Sequence, residues 1–424
     1  MKTYLDKNVY EAALERIAYC FQEFDNVLVA FSGGKDSGVL LNLCYNYADE
    51  HGLLDKLTMY HLDYEAQYQM TTEYVTRTFL EQFPGIRKMW YCVPIKAQSA
   101  CALGEPYWTP WDAAKKKLWV RAMPENPYVV HEGNLDVPFR HGMVDYEFQD
   151  KLSRHFAKKR GTTAVMVGLR ADESLNRYAA VARGKKRRSY EGRKWITQTS
   201  AVTANVYPLY DWRVSDIWTA TARFGFDYNR LYDLLYQAGL TAGQMRVASP
   251  FNDCAQESLK LYKVIDPSNW ARMIGRVNGV NFTGLYGGTT AMGWKTIKLP
   301  PGHTWKSYYE FLLSTMDART AAHYNNILEK SKRYWMQGGT VDPGTADEVL
   351  AAYPLAAVTG KSGRYDGRDI VQFMGYPDDM PVSNFRQVPS YKRMCICIMK
   401  NDYFCRYALS LIHISEPTRL LSIS

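Results

Sequence analysis

The chain has 424 residues, 46% hydrophobic and 22% charged, with a net charge of +9. That length suits two domains with a smaller third element, and that balance describes an ordinary soluble globular protein. No apolar run approaches the roughly 20 residues of a membrane-spanning helix, and the opening MKTYLDKNVYEAALERI lacks a basic-then-apolar signal, so a cytoplasmic protein with no membrane partner is expected.

In chain order, residues 9–24 carry apolar groups at helical spacing and predict a leading helix. The run Val27 to Phe31 then reads as a strand and stops at Ser32-Gly33-Gly34-Lys35-Asp36-Ser37, and a helical stretch from Gly38 follows. Strand, glycine turn and helix make a phosphate-binding arrangement. Glycines let the backbone approach phosphate oxygens without a Cβ clash. The amides of the turn and of the next helix face the anion, aided by the helix dipole. Lys35 adds a cation, and the Ser32 and Ser37 hydroxyls add donors. An ordinary strand-to-helix turn is the alternative, but the context required of a phosphate motif is present. The Walker pattern G-x-x-x-x-G-K-[ST] is absent.

Further strands are predicted at 57–62, 86–93, 164–169 and 205–210, and helices at 71–82, 146–160, 214–224 and 228–238. Residues 94–145 are rich in Pro, Trp and Gly and read as an insertion or lid. Strands alternating with helices imply an α/β fold with a parallel, doubly wound sheet. Ligands then bind beyond the strand carboxyl ends, where the strand order reverses. The glycine turn, Asp63 and the segment after Leu169 all stand at such ends. After about residue 240 the pattern changes to repeated glycines and then one helix from about 307 to 336, read as a mixed C-terminal domain over 241–407. Residues 183–194, RGKKRRSYEGRK, concentrate positive charge. They suit nucleic acid or a phosphorylated small molecule, with a solvated loop as the alternative.

Eight cysteines contain no C-x-x-C pair, and a cytosolic site argues against a disulfide framework. Cys20 and Cys44 fall on apolar helical faces and read as core. Cys254, Cys395, Cys397 and Cys405 supply four thiols, the number a zinc or iron–sulfur site takes, but their spacing fits no standard motif and inert packing is the alternative. Arg393 and Lys400 beside the late cysteines predict a lowered thiol pKa.

Four separated strings share a resemblance. SGGKDS (32–37) is similar to the pyrophosphate loop of ATP pyrophosphatases. VGLRADESLNR (167–177), YPLYDWRVSDIW (207–218) and YNRLYDLLYQAG (228–239) resemble signatures of the phosphoadenosine phosphosulfate (PAPS) reductase family. The resemblance covers about 25–245 and implies an adenine nucleotide alpha hydrolase-like domain over 26–240. The relatives that come nearest are bacterial and prophage-encoded proteins with a further C-terminal region of unknown function, some labelled co-activators of prophage gene expression. The implied cofactors are ATP or PAPS with Mg²⁺. The implied binding residues are Ser32, Gly33, Gly34, Lys35, Asp36, Ser37, Asp63 and Gly168, with Lys35, Asp36, Arg170, Glu173 and Arg177 in catalytic roles. Arginine forks suit sulfate or phosphate oxygens, although Glu173 and Arg177 are also spaced as a surface ion pair. Asp63 is expected to meet a ribose hydroxyl or magnesium, or else to cap a helix. Trp212 and Trp218 read as core aromatics.

The chain lacks the family's Glu-Cys-Gly-[Ile/Leu]-His motif, and D-T-G-x-x-F-x-E-T becomes DYEAQYQMT at 63–71. This favours ATP α–β cleavage with adenylyl transfer over thiol-dependent reduction. It resembles the small subunit of sulfate adenylyltransferase, which needs a GTPase partner, so a protein partner encoded alongside is implied. A nucleotide-sensing, nucleic-acid-binding regulator is the remaining alternative. Residues 408–424 resemble a translated sequencing-adapter read-through and are expected to be non-native.

Overall fold

The computed structural model describes residues 6–102, 104–174, 177, 178, 181, 189–247, 249–252, 255, 258–287, 289, 297–363, 367–400 and 402–405. Cys254, residues 183–188 of the basic stretch and the tail 408–424 lie outside the described residues. The described residues divide into two compact units, one of 6–101 and 107–284, the other of 102–106 and 285–405.

Helix α1 (Val9–Glu23) starts at Asn8, whose side chain accepts from the Tyr10 and Glu11 amides while Glu11 bonds back to the Asn8 amide. This reciprocal cap fixes the start of the helix. Strand β1 (Asn26–Ala30) follows, then α2 (Lys35–Glu50), β2 (Leu57–Leu62), α3 (Gln69–Glu81) and β3 (Arg87–Cys92). Residues 94–145, expected as an insertion or lid, supply β4 (Val129–His131) to the sheet edge and bury Trp108, Trp111, Val120, Val137 and Met143. Helix α4 (Asp145–Arg160) leads to β5 (Thr163–Met166), β6 (Ser189–Tyr190), β7 (Arg193–Gln198) and β8 (Thr203–Val206).

The sheet order is β4-β3-β2-β1-β5-β8-β7-β6. The first six strands are parallel, and β7 and β6 close the edge antiparallel. That hairpin departs from a purely parallel sheet, and it carries the described end of the basic stretch. From β1 the chain runs outward through β2, β3 and β4. It then returns to β5 on the other side. The order therefore reverses between β1 and β5, which opens a crevice beyond their carboxyl ends.

Alternation along β1 feeds two cores. Val27 and Val29 face α1, α2 and α3 through Ile17, Leu40, Val75 and Phe79, whereas Leu28 and Ala30 join Phe148, Leu152 and Phe156 of α4. Helix α5 (Val214–Phe224) packs with the first group through Ile217, and α6 (Leu231–Gln237) with the second through Leu231 and Leu235. Trp212 is buried and Trp218 packs against the core, as expected. Beyond 240, Met245, Phe251, Tyr262, Met273 of α7 (Pro267–Arg276) and Val280 of α8 (Val280–Tyr286) continue the second core, so the first unit extends to residue 284.

In the second unit the helix expected over 307–336 is two helices, α9 (Trp305–Ser314) and α10 (Ala318–Gly338). Asp317 accepts from the Arg319 and Thr320 amides, both at 3.0 Å, and starts a new helix there. With α12 (Tyr391–Met399) they enclose Tyr309, Tyr324 and Met394. Strands β9 (Gly339–Val341), β10 (Ala356–Lys361) and β11 (Asp369–Phe373) pair antiparallel beside α11 (Pro343–Ala352). No helix among the described residues is long and apolar enough to cross a membrane.

Candidate nucleotide site

The turn after β1 is held from three sides. Within it, the Ser37 hydroxyl accepts from the Ser32 amide at 3.1 Å and lies 3.0 Å from both the Ser32 hydroxyl and the Gly34 carbonyl. Gly33 has φ +77°, and a Cβ there would come within 2.9 Å of Val75 Cγ2, so glycine is required. From α6, Tyr232 Oη accepts from the Lys35 amide at 3.1 Å, and the Asn229 side chain donates to the Gly33 carbonyl at 3.3 Å and to Thr71 Oγ1 at 2.9 Å. From β5, Gly168 presses so closely that a Cβ would lie 2.9 Å from the Ser37 nitrogen and 3.1 Å from the Asp36 carbonyl oxygen. Helix α2 begins at Lys35 with Gly34 as N-cap and no side-chain cap, while the Lys35 amide is taken by Tyr232.

The charged residues predicted on the two sides of the crevice meet. Arg170 Nε bonds Asp36 Oδ1, and its other nitrogens reach Asp172 Oδ1 at 2.6 Å and Glu173 Oε1 at 3.5 Å. Arg177 Nη1 lies 2.6 Å from Glu173 Oε2. Lys35 Nζ lies 3.2 Å from Asp36 Oδ2 and donates to the Met245 carbonyl at 3.4 Å. Burial alone would raise the Asp36 carboxyl, but Lys35 and then Arg170 outweigh it and hold Asp36 below the usual carboxylate range. Burial works against the Arg170 charge, and Asp36 above all outweighs it. Three cations and three carboxylates thus form one network, in which Lys35 and Arg170 each have side chains only 4% exposed.

Asp63 stands elsewhere. Its fully buried carboxylate accepts from Trp90 Nε1 at 2.7 Å, from Arg121 Nη2 at 2.5 Å and from the Glu65 amide at 2.8 Å. Burial raises it, and Arg121 and then His61 outweigh that to leave it lowered. The expected ribose or magnesium contact is replaced by an internal anchor. Nor does it cap a helix, because α3 starts at Gln69 with Tyr68 as its N-cap.

The late cysteines also depart from expectation. Cys395, Cys397 and Cys405 are all buried. Burial pushes the Cys395 thiol up to about 12 and Cys397 well above its usual value, opposite to the lowered pKa expected beside Arg393. Arg393 is itself buried and bonds the Val388 carbonyl. Among the described residues no group of three or more His, Cys, Asp or Glu could hold a metal ion. Cys20 and Cys44 are buried core thiols.

Sequence reasoning gave no role to Asn229 and Tyr232, although both lie in the quoted 228–239 string. It missed Met245 and Arg246 altogether. Arg246 Nη2 donates to the Glu173 carbonyl at 3.2 Å, and no motif marks that contact.

Comparison with known proteins places the chain among relatives. The model of the phosphoadenosine phosphosulfate reductase domain matches residues 26–238, and a domain of unknown function (DUF3440) matches 239–411. The uncharacterized protein YbdN of Escherichia coli (strain K12) is 32% identical over 420 residues, covering 98% of this chain and 92% of that protein. Among solved structures, the PAPS reductase of Candida auris in its phosphate complex is 15% identical, covers 55% of this chain and 93% of its own, and has a TM-score of 0.31. The FMN adenylyltransferase of Candida glabrata is 14% identical, covers 54% and 62%, and has a TM-score of 0.29. With the matching domain model spanning half of its length, the chain belongs to the phosphoadenosine phosphosulfate reductase domain family.

Proposed function

We propose that the chain is an enzyme that binds ATP at the β1–α2 turn and transfers its adenylyl group to an acceptor. An acceptor oxygen attacks the α-phosphorus and forms a new P–O bond. The α–β bridging bond breaks, and pyrophosphate leaves with the electron pair. One observation supports this reading: a glycine turn, the N-terminus of α2 and Lys35 lie together with Gly168 and Arg170 where the strand order reverses.

The amides of Gly33, Gly34 and the first turn of α2, with the Ser32 and Ser37 hydroxyls, would hold the pyrophosphate end. Polyphosphate oxygens would compete with Asp36, Asp172 and Glu173 for Lys35, Arg170 and Arg177. The three carboxylates therefore keep these cations positioned until nucleotide arrives. Catalysis is then positioning and charge neutralisation, with no covalent intermediate on the protein. Asp36 and Glu173 offer the hard oxygen donors that magnesium takes, and both are gathered by one guanidinium. They would hold a magnesium ion carried by the nucleotide, which supplies further charge neutralisation when bound.

Thiol-dependent reduction is less well supported, because the described thiols near the sheet, Cys92 and Cys101, are buried and raised in pKa by that burial. A regulatory role through the basic stretch rests on composition alone.

The test is direct. Purified protein with ATP, Mg²⁺ and a panel of oxyanion and phosphate acceptors is assayed for pyrophosphate release, with Lys35→Ala in parallel. Release that Lys35→Ala abolishes supports the reading. Product formed only from PAPS, and lost on Cys254→Ser, would replace it with thiol chemistry.

A further inference from the structure

A second groove of about 910 Å³ opens beside the carboxyl ends of β3 and β4, lined by Cys92, Val129 and the segment from Trp111 to Asn134. This volume falls within the usual range for small-molecule sites. Its floor is over-determined. Glu65 and Trp111 both hold left-handed backbone, at φ +66° and +54°, a region bulky residues rarely adopt. The fully buried Glu65 carboxylate accepts from the Trp111 amide at 2.7 Å, the Val120 amide at 3.0 Å and Arg276 Nε at 2.8 Å. Asp63 adds a carbonyl that accepts from Trp111 Nε1 at 2.8 Å, and its carboxylate holds Arg121. Two buried acids thus keep one tryptophan in a strained conformation, and such strain concentrates at functional sites.

The groove also has a defined chemistry. Arg121 lies over the Trp111 ring at 5.0 Å, Trp111 meets Trp119 edge to face at 5.1 Å, and Lys116 stands 5.8 Å from the Trp119 ring. Lys116, Lys117, Arg121 and Arg272 line it against two acids, Glu125 and Glu132, and Glu132 already pairs with His141 at 2.6 Å. Arg121 Nε is buried and has no hydrogen-bond partner. Trp119, Met123 and three prolines supply apolar wall. Cations beside indole rings recognise an anion that carries a flat ring. Strand β3 lies two strands from β1, about 10 Å along the sheet, and the groove opens at the same carboxyl edge as the glycine turn.

We propose that this groove binds a ring-bearing phosphate of nucleoside-monophosphate size and is the acceptor side of the reaction proposed above; its role as acceptor rests on that reading, its binding does not. Lys116, Lys117 and Arg272 hold the phosphate, and the Trp119 wall takes the ring. Asp63 and Glu65 are positioning residues beneath it.

The test uses the full chain and binding alone. Guanosine 5′-monophosphate, 1-naphthyl phosphate and inorganic phosphate are titrated by calorimetry and tryptophan fluorescence into wild type, Lys35→Ala, the double variant Lys116→Ala/Lys117→Ala, and Trp119→Leu. Both ring-bearing phosphates are expected to bind wild type and Lys35→Ala alike, at least about tenfold more tightly than inorganic phosphate. The double-lysine variant is expected to weaken them about tenfold, and Trp119→Leu to erase their advantage over inorganic phosphate. The double variant changes only exposed side chains, so it keeps the test decisive if Trp119→Leu does not fold. No binding by wild type, equal binding of inorganic phosphate, or loss in Lys35→Ala alone would overturn the proposal while leaving ATP binding at the turn to be judged separately. Tighter, steeply salt-dependent binding of a single-stranded oligonucleotide would overturn it in favour of nucleic acid.

Discussion

Gly168→Ala is the sharpest probe of how the sheet positions the turn. A Cβ at residue 168 would meet the Ser37 nitrogen at 2.9 Å, the Asp36 carbonyl carbon at 3.0 Å and its oxygen at 3.1 Å. All three atoms are backbone of the first turn of α2, so no rotamer change can make room. Ordinary contacts lie near 3.5 Å or beyond, so the β5 end and α2 must separate by about 0.5 Å. Overpacking of this kind costs about 1–3 kcal/mol, and a unit of this size loses about 2–4 °C in Tm per kcal/mol. The displaced amides are those assigned to pyrophosphate. Weakening two hydrogen bonds by about 0.5–1 kcal/mol each lowers ATP affinity roughly tenfold. Gly38→Ala is the matched control. Its Cβ would meet only the Tyr74 hydroxyl, at 3.2 Å. That side-chain tip can move, and alanine within a helix gains about 1 kcal/mol over glycine. Thermal melts and ATP calorimetry on both variants decide the matter. Wild-type Tm and wild-type ATP affinity in Gly168→Ala would refute the argument.

Other outcomes follow from the buried groups. Glu65→Gln leaves the Arg276 guanidinium buried without its carboxylate and should cost about 3–5 kcal/mol in urea unfolding; a loss below 1 kcal/mol would show that the pair is not needed. His61 is fully buried with Nδ1 2.8 Å from the Phe31 carbonyl oxygen, and burial lowers its pKa below 6.5. The unfolded chain therefore takes up this proton first, so stability is complete above about pH 6.5 and falls as pH drops towards the folded pKa. The loss from this group is at most about 2 kcal/mol at pH 5, and His61→Gln should flatten the urea midpoint between pH 7.5 and 5. An unchanged slope in that variant would remove His61 from the account. Cys395, Cys397 and Cys405 should resist alkylation in the folded protein and react fully in urea, as read by mass spectrometry; rapid native labelling would contradict their burial.

The glycine turn was legible because everything it needs is local: an apolar strand, two glycines, a lysine and a helix within about a dozen residues. The crevice was legible too, since alternating strands and helices dictate a parallel sheet and Arg170 follows a strand. Asp63 was misread because the groups that engage it, Trp90 and Arg121, stand 27 and 58 residues away. Its position at a strand end suggested a ligand that its hydrogen bonds exclude. The late cysteines were misread for a related reason. Neighbouring Arg393 and Lys400 implied charge around the thiols, yet α12 is buried on nearly every side, so Cys395, Cys397 and Arg393 all lie inside. The break at Asp317 carries a cap signal in sequence, but apolar periodicity on both sides masked it. Strand β4 has three residues in a segment dominated by Pro and Trp, too few to show a period. Met245 and Arg246 reach the site through packing, which leaves no local pattern.

The central claim is that a nucleotide's phosphate tail sits on the Gly33–Ser37 turn with Lys35. Calorimetric titration of ATP and AMP, with Mg²⁺, into wild type and Lys35→Ala tests it most directly. Wild type should bind ATP at least about tenfold more tightly than AMP, and Lys35→Ala should abolish that difference. Equal affinity for the two nucleotides in wild type, or an ATP preference untouched by Lys35→Ala, would contradict it.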